Sequence, residues 1–312
     1  MLAACWGLAI GVGPHPTCAV LRVILVFMKP AVFLVHGPAT AQSSLVLDSP
    51  HSGCALPPDF DSVRTALELR DGEDCFIDEL YLPATASGVP LLAAQFARTY
   101  LDLNRHAGDI DLTLLNGPWP HAHVPSGKAA IGKALVWRTL DDGRPIYDRK
   151  LGLAELQVRI ANYHRPYHQA LENLLNAAHA RYGVVHHINC HSMNAISGVM
   201  SATGAGQARA DIVLGDRDGS TCDGAFTAFV RDVMVGFGYD VKINHPFKGV
   251  ELVRAYANPA AGRHSLQLEI NKRLYMQPGR LQKSAGFAPL QAHLMALIAA
   301  IQQRFTPEPR HA

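Results

Sequence analysis

From Met28 onward, short apolar runs alternate with stretches of helical periodicity, and this alternation restricts the fold more than any other feature of the chain. Ser44-Leu45-Val46-Leu47-Asp48, Leu91 to Leu103, Tyr182 to Asn189 and His264 to Ile270 read as strands. Leu153 to Arg181 carries apolar residues at helical spacing and is interrupted by Pro166, which starts a new helix or kinks the old one. Helices are also expected over Asp223 to Gly236 and Pro289 to Phe305. Strands separated by helices predict an α/β fold, with a largely parallel or mixed central sheet and helices on both faces. The segment Asn116 to Arg149, rich in Gly, Pro and Trp, reads as a long excursion of the kind that often carries function.

No linker, repeat or low-complexity tract divides the 312 residues, so residues 28–312 are expected to form a single domain. Residues 1–27 are apolar but lack a basic start and are broken by Gly-Val-Gly-Pro-His-Pro. With Met28-Lys29-Pro30 reading as an alternative initiator, this segment is expected to be a disordered extension or a misplaced start, an export signal being the alternative. No apolar run is long enough to span a bilayer. The 28 Lys and Arg are matched by 26 Asp and Glu and interleaved with them, which argues against nucleic acid or an anionic membrane as partner. Six widely spaced cysteines without a C-x-x-C pair point to neither a zinc ribbon nor a disulfide framework, and hence to the cytoplasm.

Histidine is the exceptional residue, with 16 in the chain, and imidazole is both a common metal ligand and the side chain that titrates near neutrality. Ligands of α/β sheets gather at the carboxyl ends of strands. There the sequence places Asp48-Ser49-Pro50-His51-Ser52-Gly53 after one strand and Asn189-Cys190-His191-Ser192-Met193 after another. Either histidine alone reads as a loop cap or a buried hydrogen-bonder, but two at equivalent positions point to a metal site. A third, carboxylate ligand is then expected from Asp74 or Asp78, which are spaced to share one helix face; spacing does not choose between them. Glu269, between Leu268 and Ile270, should face away from both neighbours, as a general base or as one half of a buried ion pair with Arg263 or Arg273. Asp102-Leu103-Asn104-Arg105 delivers a guanidinium to the same sheet edge, where it can grip a carboxylate, surface pairing being the alternative.

These residues form a pattern. Ser49-Pro50-His51-Ser52-Gly53, Asp74 and Asp78 ahead of Leu80-Tyr81, Asp102-Leu103-Asn104-Arg105, Gly143-Arg144-Pro145-Ile146-Tyr147 and Arg165-Pro166-Tyr167-His168 are its first half. Asn189-Cys190-His191-Ser192-Met193, Asn244-His245-Pro246-Phe247-Lys248-Gly249, and His264-Ser265-Leu266-Gln267-Leu268-Glu269 with Tyr275-Met276 complete it. From about residue 44 to about residue 305 the chain resembles the N-formylglutamate amidohydrolases. The resemblance implies a fold similar to zinc carboxypeptidases and aspartoacylase-like deacylases, and one divalent metal ion, zinc, held by two histidines and a carboxylate. It also implies His51 and His191 as ligands, Glu269 as base and then proton donor, and Asn104 with Arg105 for substrate recognition. Arg105 would share the charge that develops on the substrate oxygen. Cys54 stands three residues after His51 where the carboxypeptidases have Glu, so the carboxylate ligand must come from elsewhere. The implied substrate is a small N-acyl amino acid, N-formyl-L-glutamate, cleaved in one route of histidine degradation, with Arg254 as a further cationic anchor and His264 and Tyr275 as polar supports. A zinc amidase acting on another N-acyl amino acid or a cell-wall amide is the alternative.

Overall fold

Leu45, Val46 and Leu47 are buried on both faces, the condition of a strand inside a sheet. The computed structural model describes residues 31–38, 40–201 and 204–310, so the expected extension over 1–27 lies outside the described residues. Among them the sheet has seven strands: β1 (Phe33–His36), β2 (Leu45–Ser49), β3 (Leu91–Ala94), β4 (Val185–Met193), β5 (Ile212–Gly215), β6 (Val241–Ile243) and β7 (Arg263–Asn271). Their order is β1-β3-β2-β4-β7-β5-β6, with parallel pairing from β3 through β7 and antiparallel pairing of β1 to β3 and of β5 to β7. The sheet is mixed, one of the two forms, largely parallel or mixed, that the alternation allows.

Among the described residues six α-helices cover it: α1 (Ile77–Tyr81), α2 (Leu153–Arg159), α3 (Arg165–Tyr182), α4 (Gly224–Gly236), α5 (Glu251–Tyr256) and α6 (Phe287–Phe305). α1, α4 and α6 bury their apolar faces in one core with Leu266, Leu268 and Ile270 of β7 and Ile188 and Cys190 of β4. α2, α3 and α5 contribute to a second core across the sheet. Because side chains alternate along a strand, the intervening His187, Asn189 and His191 of β4 and Ser265, Gln267 and Glu269 of β7 turn toward that second side.

Several boundaries differ from the sequence reading. β3 stops at Ala94, far short of Leu103: Ala97 N–H donates to Ala55 O at 2.9 Å and Tyr100 N–H closes a turn on Ala97 O at 3.0 Å. Gly53 makes this crossing possible, since a Cβ there would lie 2.2 Å from the carbonyl carbon of Gln95. β4 continues past Asn189 to Met193 because β7 supplies partners for its whole length, so His191 lies within the strand. The long helix is two helices joined by a π-helical turn over Ile160–His164, and Pro166 falls in the first turn of α3, directly after that π-helical turn. Asp223 caps α4 by accepting Ala225 N–H at 2.8 Å, and α6 begins two residues ahead of Pro289. β1, β5, β6, α1 and α5 span too few residues for a period to be read. No helix of the described residues is long and apolar enough to cross a membrane.

Leu268 is fully buried at the centre of the first core. Leu268→Ala should destabilise the protein by about 2–5 kcal/mol, seen as a lower urea midpoint at unchanged slope. A loss well below that range would show that the core relaxes around the site.

Candidate metal centre and cleft

Three elements bring three ligand atoms together. The turn after β2 carries His51, β4 carries His191, and the segment ahead of α1 carries Asp74, whose N–H donates to His51 O at 3.0 Å. His51 Nδ1 lies 3.1 Å from His191 Nδ1, and Asp74 Oδ2 lies 2.9 Å from His191 Nδ1 and 3.4 Å from His51 Nδ1. All three residues are buried. Asp78 is not part of the group. Phe76 adopts φ 65° and α1 starts only at Ile77, so Asp74 precedes the helix and the two carboxylates share no helix face. Asp78 stands apart with its N–H donating to Ser52 Oγ at 3.2 Å.

The outer faces of both imidazoles are already committed. Asp102 accepts His51 Nε2–H at 2.8 Å, Arg98 Nε–H at 3.0 Å, Trp137 Nε1–H at 3.2 Å and Asn104 N–H at 2.9 Å. Burial would raise the Asp102 carboxyl, but the charges of Arg105 and Arg98 and the hydrogen bond from His51 hold it well below its ordinary value. His191 Nε2–H donates to Asn189 Oδ1 at 2.7 Å, and Asn189 is oriented by giving its amide N–H to Asp48 Oδ1 at 2.7 Å. With both Nε2 atoms donating, both Nδ1 atoms of the neutral rings are lone pairs aimed at the same point as the Asp74 oxygen. Such a convergence favours a cation between the three atoms. A second proton on each ring would put two imidazoliums in van der Waals contact inside the protein, whereas one divalent ion satisfies all three donors. The donor set therefore fits a metal ion, held by His51, Asp74 and His191.

Glu269 stands opposite His191 in the β4–β7 register. Its Oε1 accepts Gln267 Nε2–H at 2.8 Å, and burial pushes its carboxyl up to about 7, with the Asp74 charge adding to the rise and the charges of Arg98 and Arg209 opposing it. The ion-pair alternative is not what forms: Arg263 donates to Asn176 Oδ1 at 2.7 Å and Arg273 to Asp211 Oδ1 at 2.6 Å.

Asp74, His191 and Glu269 open onto a cleft of about 240 Å³. Asn104 and Arg105 line it too. Asn104 Oδ1 accepts Leu252 N–H at 2.9 Å, which turns its amide NH₂ toward His191 and Asn189, and Arg105 is held by Lys133 O and Asn104 O, each at 2.9 Å. Six basic side chains line the cleft (Arg98, Arg105, Lys128, Lys133, Arg209 and Lys272) against the acids Asp74, Asp141 and Glu269, a surplus that favours an anionic occupant. Trp137 forms part of the wall, with Lys133 Nζ 3.5 Å and Arg98 4.9 Å from its ring centroid.

Three residues expected at the site are elsewhere. Arg254 is spent on Glu251, one turn away on α5, at 2.8 Å and is half exposed. His264 stacks on His186 near the start of β7; it is five residues from Glu269 and of opposite parity, so it lies about 16 Å along the strand and on the other face. Tyr275 is fully buried in the first core and does not line the cleft. Arg98, Lys133, Trp137 and Arg209 were not singled out by the sequence; only the length of the Asn116 to Arg149 excursion signalled Lys133 and Trp137.

Residues 43–276 match the family model for N-formylglutamate amidohydrolase. The chain belongs to the N-formylglutamate amidohydrolase family. It is accordingly a hydrolase acting on a linear amide. A Pseudomonas aeruginosa N-formylglutamate deformylase is 31% identical over 244 residues, 74% of this chain and 82% of that protein. The crystal structure of an N-formylglutamate amidohydrolase from Ralstonia eutropha JMP134 aligns with a TM-score of 0.83 at 42% identity, covering 88% of this chain and 98% of that one. A gene product of Agrobacterium tumefaciens, 16% identical with a TM-score of 0.61 over 86% of this chain and 94% of its own, shares the fold.

Metal analysis of purified variants tests the triad. Asp74→Asn, His51→Ala and His191→Ala should each lose stoichiometric metal, while Asp78→Asn retains it. A full equivalent retained by any of the first three would strike that residue from the ligand set.

Proposed function

We propose that the protein hydrolyses the formamide of N-formyl-L-glutamate to formate and L-glutamate, using one zinc ion held by His51, Asp74 and His191. The observation that carries this reading is the juxtaposition of that triad with Glu269 at the floor of a cationic cleft. Bound there, a divalent ion supplies Lewis acidity and brings the pKa of a coordinated water toward neutrality. Glu269, buried opposite His191, is placed to take up a proton and return it to the departing amine nitrogen. Arg105, buried and fixed by two backbone carbonyls, donates to the carbonyl oxygen as negative charge develops, without reorganising. Asn104 donates its amide N–H to Asn189 Oδ1, the oxygen that also accepts from His191 Nε2–H. The surplus of basic side chains around the cleft suits a substrate with two carboxylates.

The names of the Pseudomonas and Ralstonia relatives support the formyl group and glutamate as substrate parts. The reaction belongs to one route of histidine degradation. A cytoplasmic setting is in keeping with the free thiols of Cys54, Cys75, Cys190 and Cys222.

Formate release from N-formyl, N-acetyl and N-succinyl amino acids, with metal restored after chelation, tests the substrate; no turnover of N-formyl-L-glutamate would overturn the reading. Glu269→Gln keeps the side chain's shape but cannot accept the proton. Turnover should fall by roughly a hundred- to ten-thousandfold while metal content and melting temperature stay near those of the parent. A metal-loaded Glu269→Gln protein with near-normal formate release would sink the role given to Glu269.

A further inference from the structure

Five of the six basic side chains on the cleft have partners. Arg98 donates to Asp102, Arg105 to two carbonyls, Lys133 pairs with Asp141 at 2.9 Å, Arg209 donates to Asn194 O at 3.2 Å and Lys272 to Glu73 O at 2.7 Å. The ammonium of Lys128 makes no hydrogen bond or ion pair with any described residue, although it is half-buried and lines the same cleft.

Its placement is built, not accidental. Lys128–Ile131 form one 3-10 turn closed by Gly132 at φ 68°, where a Cβ would meet Thr139 Oγ1 at 2.2 Å. On the near side, Ser126 gives both its N–H and its hydroxyl to the buried carboxylate of Asp109, which also lies 3.8 Å from Arg105 Nε. Lys133 N–H returns to Lys128 O at 2.9 Å, and Leu135 N–H reaches Asp109 O at 2.8 Å. The turn is thus pinned to the segment that carries Arg105, and Lys128 is fixed among cations. Burial and the charges of Arg105 and Arg98 pull its ammonium below its ordinary value, so an anion arriving there relieves repulsion as well as pairing a charge.

We infer that Lys128 binds the side-chain carboxylate of the substrate and thereby selects glutamate over its neutral analogues. This rests on the reading of the protein as an N-formylglutamate hydrolase. The α-carboxylate of such a substrate is two bonds from the scissile nitrogen and must lie beside the reacting groups. Arg98 is bound to Asp102, the carboxylate that also holds His51, and so belongs to that inner region, whereas Lys128 stands on the turn that Ser126 pins to Asp109, beyond Arg105. The side-chain carboxylate, farther along the substrate, matches the outer position.

The test compares N-formyl-L-glutamate with N-formyl-L-glutamine on the metal-loaded full chain. Lys128→Met should shrink the glutamate-over-glutamine ratio in kcat/KM by about 10- to 100-fold, chiefly through KM, as expected for one lost charge-assisted contact, and Lys128→Arg should restore most of it. An unchanged ratio, or an equal loss on both substrates, would overturn the assignment. Calorimetric binding of L-glutamate and L-glutamine to the parent and to Lys128→Met gives an answer independent of formate release. If the parent cleaves neither formyl compound, the substrate reading fails, and the binding ratio alone decides: its collapse in Lys128→Met upholds the carboxylate site, and its persistence removes it.

Discussion

β4 and β7 run side by side in parallel over nine residue pairs, and near their carboxyl ends His191 stands opposite Glu269. Everything at the site is referred to that register. A slip of one residue would turn Glu269 into the apolar core and present Leu268 or Ile270 to the cleft. What prevents the slip is distributed along the strands: Leu266, Leu268 and Ile270 are committed to the core under α4 and α6, and His187 Nδ1 meets Ser265 Oγ across the pair at 2.7 Å. The geometry of the candidate site therefore draws its precision from ordinary strand alternation.

Two buried carboxylates translate that frame into ligand orientation. Asp48 accepts from His187, Asn189 and the Tyr167 hydroxyl at 2.7–2.8 Å, and Asp102 accepts from His51, Arg98, Trp137 and Asn104. A lone buried carboxylate costs several kcal/mol in desolvation, so each persists only because donors surround it. The same donors are thereby locked. Asn189 presents its oxygen to His191, His51 presents its Nε2–H to Asp102, and the lone pairs left over converge on one point. The candidate metal site is in this sense a consequence of how its neighbours are satisfied.

The abundance of histidine has a second, structural explanation. His164 and His168 stack at 3.9 Å and bond Arg105 O and Leu103 O, each at 2.9 Å. They hold the Asp-Leu-Asn-Arg segment from behind, and His164 reaches it from the last residue of the π-helical turn between α2 and α3. The long excursion closes the cleft from the other side, with Trp137 and Lys133 in its wall. Scaffold and wall meet at Arg105, whose guanidinium is bound to Lys133 O.

The alternation of apolar runs and amphipathic helices was enough to read the mixed α/β fold, and parity along Leu268-Glu269-Ile270 was enough to turn Glu269 away from the core, because both depend on periods internal to one element. The motifs around His51, Asp74, His191, Asn104 and Arg105 were legible for the same reason: each is a short local string. The end of β3 at Ala94 was not, since it depends on where Gly53 lets another segment cross. Nor was the choice of Asp74 over Asp78, which turned on a left-handed residue at Phe76 and a helix that begins one residue later. Arg254, His264 and Tyr275 have suitable chemistry, yet a partner on the same helix, the wrong end and face of a strand, and a place in the core keep them from the cleft. Lys128 and Arg209 join it from loops remote in sequence. Side-chain type and local period are properties of the chain itself, whereas which charges meet, and which of them is left without a partner, depends on contacts between distant segments that only folding brings together.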